Sequence, residues 1–499
     1  MRRSNEVGES GTFIIEPNRE VFGTLKIAGK QSELYLHDRN CFQAAFRGSE
    51  NLTGTLHDLT RVTLIGCLTT GLGHSSVRAE SYHFARIFPH YVVTGTQHLD
   101  SEAPTIQEII FIVDDAPTLF YDIDAFGTSF DARPHVENIV MGKKLTRKVK
   151  IGEWPQLAYF TGKVEIVSVE TTLGKVAAQH NPSGGLGGPC GVRIDNRISV
   201  SITTSGPGTF AEAISRMLTL LRFFAIVVGR PQVVKDLWVV VAGNAASERL
   251  RVHWNHAPTR DEDISGKDSA PQPADILLDP VRRPAEFTDV MRNWLAVDRV
   301  RRDARVRFAS CFEHENVYPV DRIVGAANMF DILPPAAVPK GFALAPDIVD
   351  AKRQCDEIFR NLPASQERSS VLDALGRLGM SSLRRKVRHR AANILSAVGY
   401  CFPELESVID EAVNCRNHYV HGSLSKIDCN QHFAVLSFFI DTLEFVFAAS
   451  ELIEAGWNIR EWVSTPTSMS HPFGRYRVGY AQSLAEFKAA RTRPKAKGR

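Results

Sequence analysis

From Thr12 to about Ala242 apolar and polar residues alternate in short runs. Val21-Phe22-Gly23-Thr24-Leu25-Lys26-Ile27, Ser32-Glu33-Leu34-Tyr35-Leu36, Arg61-Val62-Thr63-Leu64-Ile65, Ile109-Ile110-Phe111-Ile112-Val113 and Ile198-Ser199-Val200-Ser201-Ile202 read as β-strands between glycine and polar turns. A period of two gives each strand one core-facing side, so this half predicts a sandwich or barrel-like domain. One helix, Thr209 to Val228, follows the Gly206-Pro207-Gly208 break and is expected to cover that domain. Glu212, Arg216 and Arg222 interrupt its apolar run, which fits a buried amphipathic helix and not a membrane span.

The period then changes. Residues 244–272 are polar and predict a linker or mobile loop, after which apolar residues recur at three- and four-residue spacing. Pro284 to Val297, Asp298 to Phe312 and Tyr318 to Leu333 read as connector helices packed on a bundle. Asp347 to Asn361, Gln366 to Leu378, Ser381 to Val398, Pro403 to His421 and Asp428 to Glu454 supply the bundle itself. Phe433 to Ile453 is apolar nearly all round, the pattern of a buried central helix. The fold class is therefore α+β: a β-rich domain over 1–243, linker and connector over 244–345, an all-α bundle over 346–465, and a basic tail over 466–499 expected to be disordered.

Composition narrows the function classes. At 499 residues the chain has room for about three domains. A net charge of +3 is too small to make nucleic-acid binding a global property, so any basic footprint must be local. The 8 cysteines (Cys41, Cys67, Cys190, Cys311, Cys355, Cys401, Cys415 and Cys429) include no C-x-x-C pair, so they predict reduced thiols. The start, Met1-Arg2-Arg3-Ser4, is not followed by an apolar signal core, and a cytoplasmic protein without a membrane segment is expected. Ser183-Gly184-Gly185-Leu186-Gly187-Gly188-Pro189 lacks the Lys-Ser/Thr of a phosphate loop and predicts a flexible turn. His253-Trp254-Asn255-His256 and His418-Tyr419-Val420-His421 each space two imidazoles three apart without an apparent third ligand, and Asp261-Glu262-Asp263 reads as a solvated turn; no metal or cofactor is expected.

The strongest chemical signal is Val413-Asn414-Cys415-Arg416-Asn417-His418-Tyr419-Val420-His421-Gly422. The stripe Leu405, Ile409, Ala412, Val413 continues onto Arg416, so an arginine stands where an apolar residue belongs. A burial-prone arginine needs an anion, and a phosphate or a second subunit can supply one if the bundle does not. Asn417 and His421 are four apart and share a face, while Gly422 reads as the helix stop. Arginine grips phosphate with a planar fork, and histidine moves protons near neutral pH. The same residues can also do no more than cap the last carbonyls.

Arg416-Asn417-x-x-x-His421 resembles the Arg-x(4–6)-His signature of HEPN-domain ribonucleases. Other Arg–His pairs occur at similar spacing, such as Arg251 to His256 and Arg384 to His389, but none has asparagine after the arginine. The β-rich half resembles the N-terminal domain of ApeA-type anti-phage proteins, through Gly11-Thr12-Phe13-Ile14-Ile15-Glu16-Pro17, Val21-Phe22-Gly23-Thr24-Leu25, His57-Asp58-Leu59-Thr60-Arg61-Val62-Thr63-Leu64 and Val93-Thr94-Gly95-Thr96-Gln97-His98. The resemblance implies an abortive-infection endoribonuclease that cuts RNA, with tRNA a candidate target, by metal-independent attack of the 2′-hydroxyl. Arg416, Asn417 and His421 would be catalytic in a homodimer, and Arg384, Arg385, Lys386 and Arg388 are candidate RNA contacts. A phage-derived trigger would act on the β domain. The alternative is a non-catalytic HEPN binding or dimerisation module with a ligand-sensing β domain.

Overall fold

The computed structural model describes residues 8–492 apart from 17–18, 43–45, 78–79, 144–147, 189–190, 244–247, 259–269, 342–343, 424–426 and 428–431. The chain divides into two compact units: Met1–Val228 with Gln232–Lys267 and Leu278–Leu295, and Gly229–Pro231 with Asp268–Leu277 and Ala296–Arg499.

In the first unit β1 (Glu9–Glu16), β2 (Arg19–Lys26), β3 (Glu33–Asp38), β4 (Arg47–Leu56), β5 (Arg61–Val77) and β6 (Glu80–Gly95) pair antiparallel in the ring order β6-β3-β2-β1-β4-β5, and β5 closes the ring onto β6. Closure removes the free edges that an open sheet would expose. Inward positions at period two, among them Phe13, Leu25, Leu36, Leu52, Val62 and Ile87, fill the barrel. Gly54 makes room for the largest of them: a Cβ there would lie 2.4 Å from the Phe13 ring.

Strand β6 belongs to two structures. Its first half pairs with β3 (Leu36 opposite Ala85), and its second half with a later strand, Arg249–Trp254 (Val252 opposite Val93). That later strand opens an extension of the sheet. In chain order the remaining strands are β7 (Ile106–Val113), β8 (Phe126–Ser129), β9 (Leu157–Phe160), β10 (Glu165–Thr171), β11 (Gly174–Gly188), β12 (Gly191–Gly208), β13 (Val234–Val241) and β14 (Arg249–Trp254). From β6 the sheet runs β14-β13-β7-β12-β11-β10, while β8 and β9 form a separate pair.

The first unit also holds the short helices α1 (Ala116–Leu119) and α2 (Arg133–Gly142), the long α3 (Phe210–Val228) and α4 (Pro284–Ala296). Helix α3 packs on β7 and β12, as the sequence predicts. It starts with a reciprocal cap, in which Glu212 N–H donates to Thr209 Oγ1 at 3.3 Å and Thr209 N–H donates to Glu212 Oε2 at 3.0 Å.

Three expectations for this half need correction. Residues 249–254, placed in a linker, form β14, whose period-two pattern is too short to stand out beside its polar flanks. Helix α4, expected on the bundle, belongs to the β-rich unit, because its Phe287 and Trp294 rings meet Phe223 of α3 at 6.1 and 5.4 Å. The glycine run at 183–188 is the end of β11, with Ser183 to Gly185 paired to Asp195 to Arg193. Pro189, Cys190, Asp261-Glu262-Asp263 and Cys429 lie outside the described residues.

The second unit is helical: α5 (Asp298–Phe312), α6 (Val320–Asp331), α7 (Pro346–Arg360), α8 (Gln366–Arg377), α9 (Leu383–Val398), α10 (Leu405–His421), α11 (Phe433–Ala455), α12 (Ile459–Ser464) and α13 (Pro472–Thr492). Helix α11 is central, with α5, α6, α9, α10 and α13 packed around it. It is long and apolar enough to cross a membrane, but 78% of its most apolar window is buried inside the protein, which marks a core helix. It also buries Glu444 and Glu451, and each meets arginine from another helix. Glu444 takes a two-pronged contact from Arg322 of α6 at 2.8 and 2.9 Å; Glu451 takes Arg305 of α5 at 2.7 Å and Arg390 of α9 at 2.9 Å.

Two helix assignments differ from the sequence expectation. Helices α7 and α8 pack on each other and bury no residue, so they stand outside the core, whereas α5 and α6, expected as connectors, are inside it. The segment expected as a disordered tail forms α13, which buries Phe473, Tyr476, Tyr480, Leu484 and Phe487. Those five recur at three- and four-residue spacing, a signal masked by the neighbouring cations. Residues 493–499, the last of the basic run, lie outside the described residues.

Candidate active site at the end of helix α10

Helix α10 buries Leu405, Ile409, Ala412 and Val413, the apolar stripe read from the sequence, together with Val408 and Cys415. The helix ends at Gly422, whose φ of +65° is the left-handed conformation glycine adopts without a Cβ penalty, and Gly422 N–H donates to His418 O at 2.9 Å. This stop leaves His421 exposed in the last turn and Arg416 half-buried one and a half turns earlier.

The structure brings the three motif residues together. Arg416 Nη1 donates to Asn417 Oδ1 at 3.0 Å and lies 3.4 Å from His421 Nε2. Because a guanidinium can only donate, the nitrogen of His421 that meets it presents its lone pair. Arg416 Nη2 donates to Asn328 Oδ1 on α6 at 2.8 Å, and Arg416 Nε is buried without an acceptor among the described residues. Among the described residues no carboxylate pairs with Arg416. The result is a cation held by neutral amides beside an accessible imidazole.

Asn328 was not among the residues singled out from the sequence. It lies 88 positions from Arg416, on a helix read as a connector, and its only sequence signal is a polar residue beside Ala326, Ala327, Met329 and Phe330.

The basic run is differently disposed. Arg388 pairs with Asp410 of α10 through two contacts at 2.9 and 2.5 Å. Arg384 donates to Asn414 at 2.7 Å, and Lys386 pairs with Asp331 of α6 at 3.0 Å. These charges clamp α9 to α10 and α6; Arg385 is exposed. His418 Nδ1 contacts Ser423 O at 2.7 Å.

Other chemistries find less support. Burial pushes the Cys67 and Cys311 thiols up to about 12, which leaves them protonated and unreactive near neutral pH. No disulfide joins the described cysteines, and no group of three or more metal-ligating side chains occurs among the described residues.

A closed β barrel extended by a sheet, followed by a helical bundle with arginine and histidine at a helix end, defines a two-part protein with a HEPN-type bundle. The chain belongs to the ApeA family: the model for ApeA N-terminal domain 1 matches residues 9–294, and the Apea-like HEPN model matches residues 324–461. The second match begins within α6 and so takes in Asn328 together with Arg416, Asn417 and His421. No curated protein and no solved structure matches the chain. The family points to an anti-phage HEPN nuclease, and the HEPN domain to activity on RNA.

Proposed function

We propose that this protein is an abortive-infection endoribonuclease whose bundle cuts RNA, tRNA being one candidate, at Arg416, Asn417 and His421. The observation that carries the reading is the uncompensated charge of Arg416, which has amide partners, one buried N–H without an acceptor, and His421 within 3.4 Å. A buried donor without an acceptor costs roughly 1–3 kcal/mol, and a phosphate oxygen is the acceptor best matched to a guanidinium fork.

The chemistry uses these side chains and a second histidine. His421 takes the proton from a ribose 2′-hydroxyl, O2′ bonds to the adjacent phosphorus, and the P–O5′ bond breaks. The products are a 2′,3′-cyclic phosphate and a 5′-hydroxyl, the latter protonated by a histidine. Arg416 stabilises the charge growing on the phosphate oxygens, and Asn417 orients Arg416. One chain offers one such histidine at this site, so base and acid together imply two copies with their α10 ends facing one cleft. Val420, 41% exposed in the same last turn, is an apolar contact such a homodimer would cover. The β-rich unit then acts as the sensor of a phage-derived trigger.

Full-length protein is incubated with labelled tRNA and mRNA in EDTA. Cutting is expected to persist in chelator and to fall by roughly 10²–10⁴-fold in His421→Ala. Undiminished cutting by His421→Ala, or its abolition by chelator alone, rejects the assignment. RNA retained without product would favour a binding module.

A further inference from the structure

We infer that Asn328 is a positioning residue that holds Arg416 toward the substrate phosphate while leaving its positive charge available. This rests on the reading of Arg416 as the phosphate clamp. Arg305, Arg322 and Arg390 are almost fully buried, and each meets a carboxylate within 3 Å. Such pairing is the usual way to keep a charge away from water, and it leaves none of that charge for a ligand. Arg416 is held by a helix packed against its own, through a contact of similar length, 2.8 Å, yet the acceptor is an amide oxygen.

Asparagine and aspartate have nearly the same shape, so the difference at position 328 is one of charge. An amide carbonyl fixes the guanidinium plane with one hydrogen bond and cancels none of its charge. A carboxylate would fix it at least as firmly and would compete with phosphate for the same fork. A purely structural contact would lose nothing from the exchange; a phosphate clamp would lose its function. Asn328 is also well placed mechanically, on the core helix α6, whose buried Ile323, Ala326, Ala327 and Phe330 fix its backbone.

The test compares full-length wild type, Asn328→Asp and Asn328→Ala by thermal melting, by cleavage of labelled RNA, and by binding of a 2′-O-methyl RNA that cannot be cut. Asn328→Asp is expected to melt at or above the wild-type temperature while kcat/KM falls by about 10²-fold. Asn328→Ala, which loses the aim but not the charge, is expected to fall by roughly tenfold. For the uncleavable RNA, the slope of log affinity against log salt is expected to drop by about 0.7 in Asn328→Asp, the signature of one lost phosphate contact on a single strand. A merely structural role would leave that slope unchanged.

Wild-type cutting and binding by Asn328→Asp would overturn the proposal, as would a melting temperature that falls in step with activity in both variants. If wild type binds RNA without cutting it, the cleavage reading fails while the salt slope still decides the role of Asn328. Wild type that neither binds nor cuts overturns both.

Discussion

Arg322 and Arg416 lie in the same bundle, on helices α6 and α10 that pack together, and they meet opposite electrostatic surroundings. Arg322 is 3% exposed, grips Glu444 with two contacts, donates to the Glu315 and Val317 carbonyls, and stacks over the Tyr318 ring at 4.7 Å. Its donors are satisfied by the fold. Arg416 is half-buried and, among the described residues, meets only the amides of Asn328 and Asn417 and the edge of His421 and keeps one N–H without an acceptor. Arg322 is paired with a carboxylate, whereas among the described residues Arg416 keeps a donor open. Burial alone does not separate these two arginines; the charge of their partners does.

The contrast predicts opposite phenotypes for the same substitution. Arg322→Ala strands a buried Glu444 and is expected to cost about 3–5 kcal/mol of stability, read by denaturant unfolding with cleavage followed below the transition. Arg416→Ala is expected to change stability by less than about 1 kcal/mol while lowering kcat/KM by roughly 10²–10³-fold, because the group it removes acts on charge that develops in the reaction. A large loss of stability in Arg416→Ala, or full activity with the fold intact, would erase the distinction.

Asp441 offers a smaller test on the other side of the same pair. It sits one turn from Glu444 on α11 and accepts from Tyr318 Oη at 3.2 Å. Burial first, then the charge of Glu444, pushes its carboxyl up to about 7. The folded value exceeds the unfolded one, so the stability this group contributes is complete below about pH 4 and is lost as pH rises through 7. Asp441→Asn should match wild type in acid and gain on it between about pH 4 and 7, on the order of 2 kcal/mol given its partial exposure. A constant difference across that range would mean that the carboxylate keeps its ordinary affinity for protons.

Much of this organisation is legible in the chain. Alternating runs around Val21, Leu34 and Val62 mark barrel strands, because a strand with one buried face must repeat every second residue. Leu405, Ile409, Ala412 and Val413 mark the buried face of α10, and the arginine that continues their stripe marks the candidate site before any coordinates are known. Gly422 is equally readable, since few other residues end a helix at positive φ without strain. What was missed has physical causes. Strand β14 and helix α13 are flanked by polar or charged residues, so their local patterns are weak, and helix α4, legible as a helix, is assigned to its unit only by its neighbours.

The sequence by itself determined the periodicities, and through them the order of strands then helices, the central α11 and the motif at the close of α10. Only the tertiary structure decided that β5 closes onto β6, that Arg322 finds Glu444 122 residues away, and that Arg416 meets Asn328 across 88. The physical reason is range. Hydrophobic period acts between neighbours along the chain, whereas the pairing of a buried charge depends on which helices are brought side by side. That pairing is what leaves Arg416 without a counter-charge among the described residues.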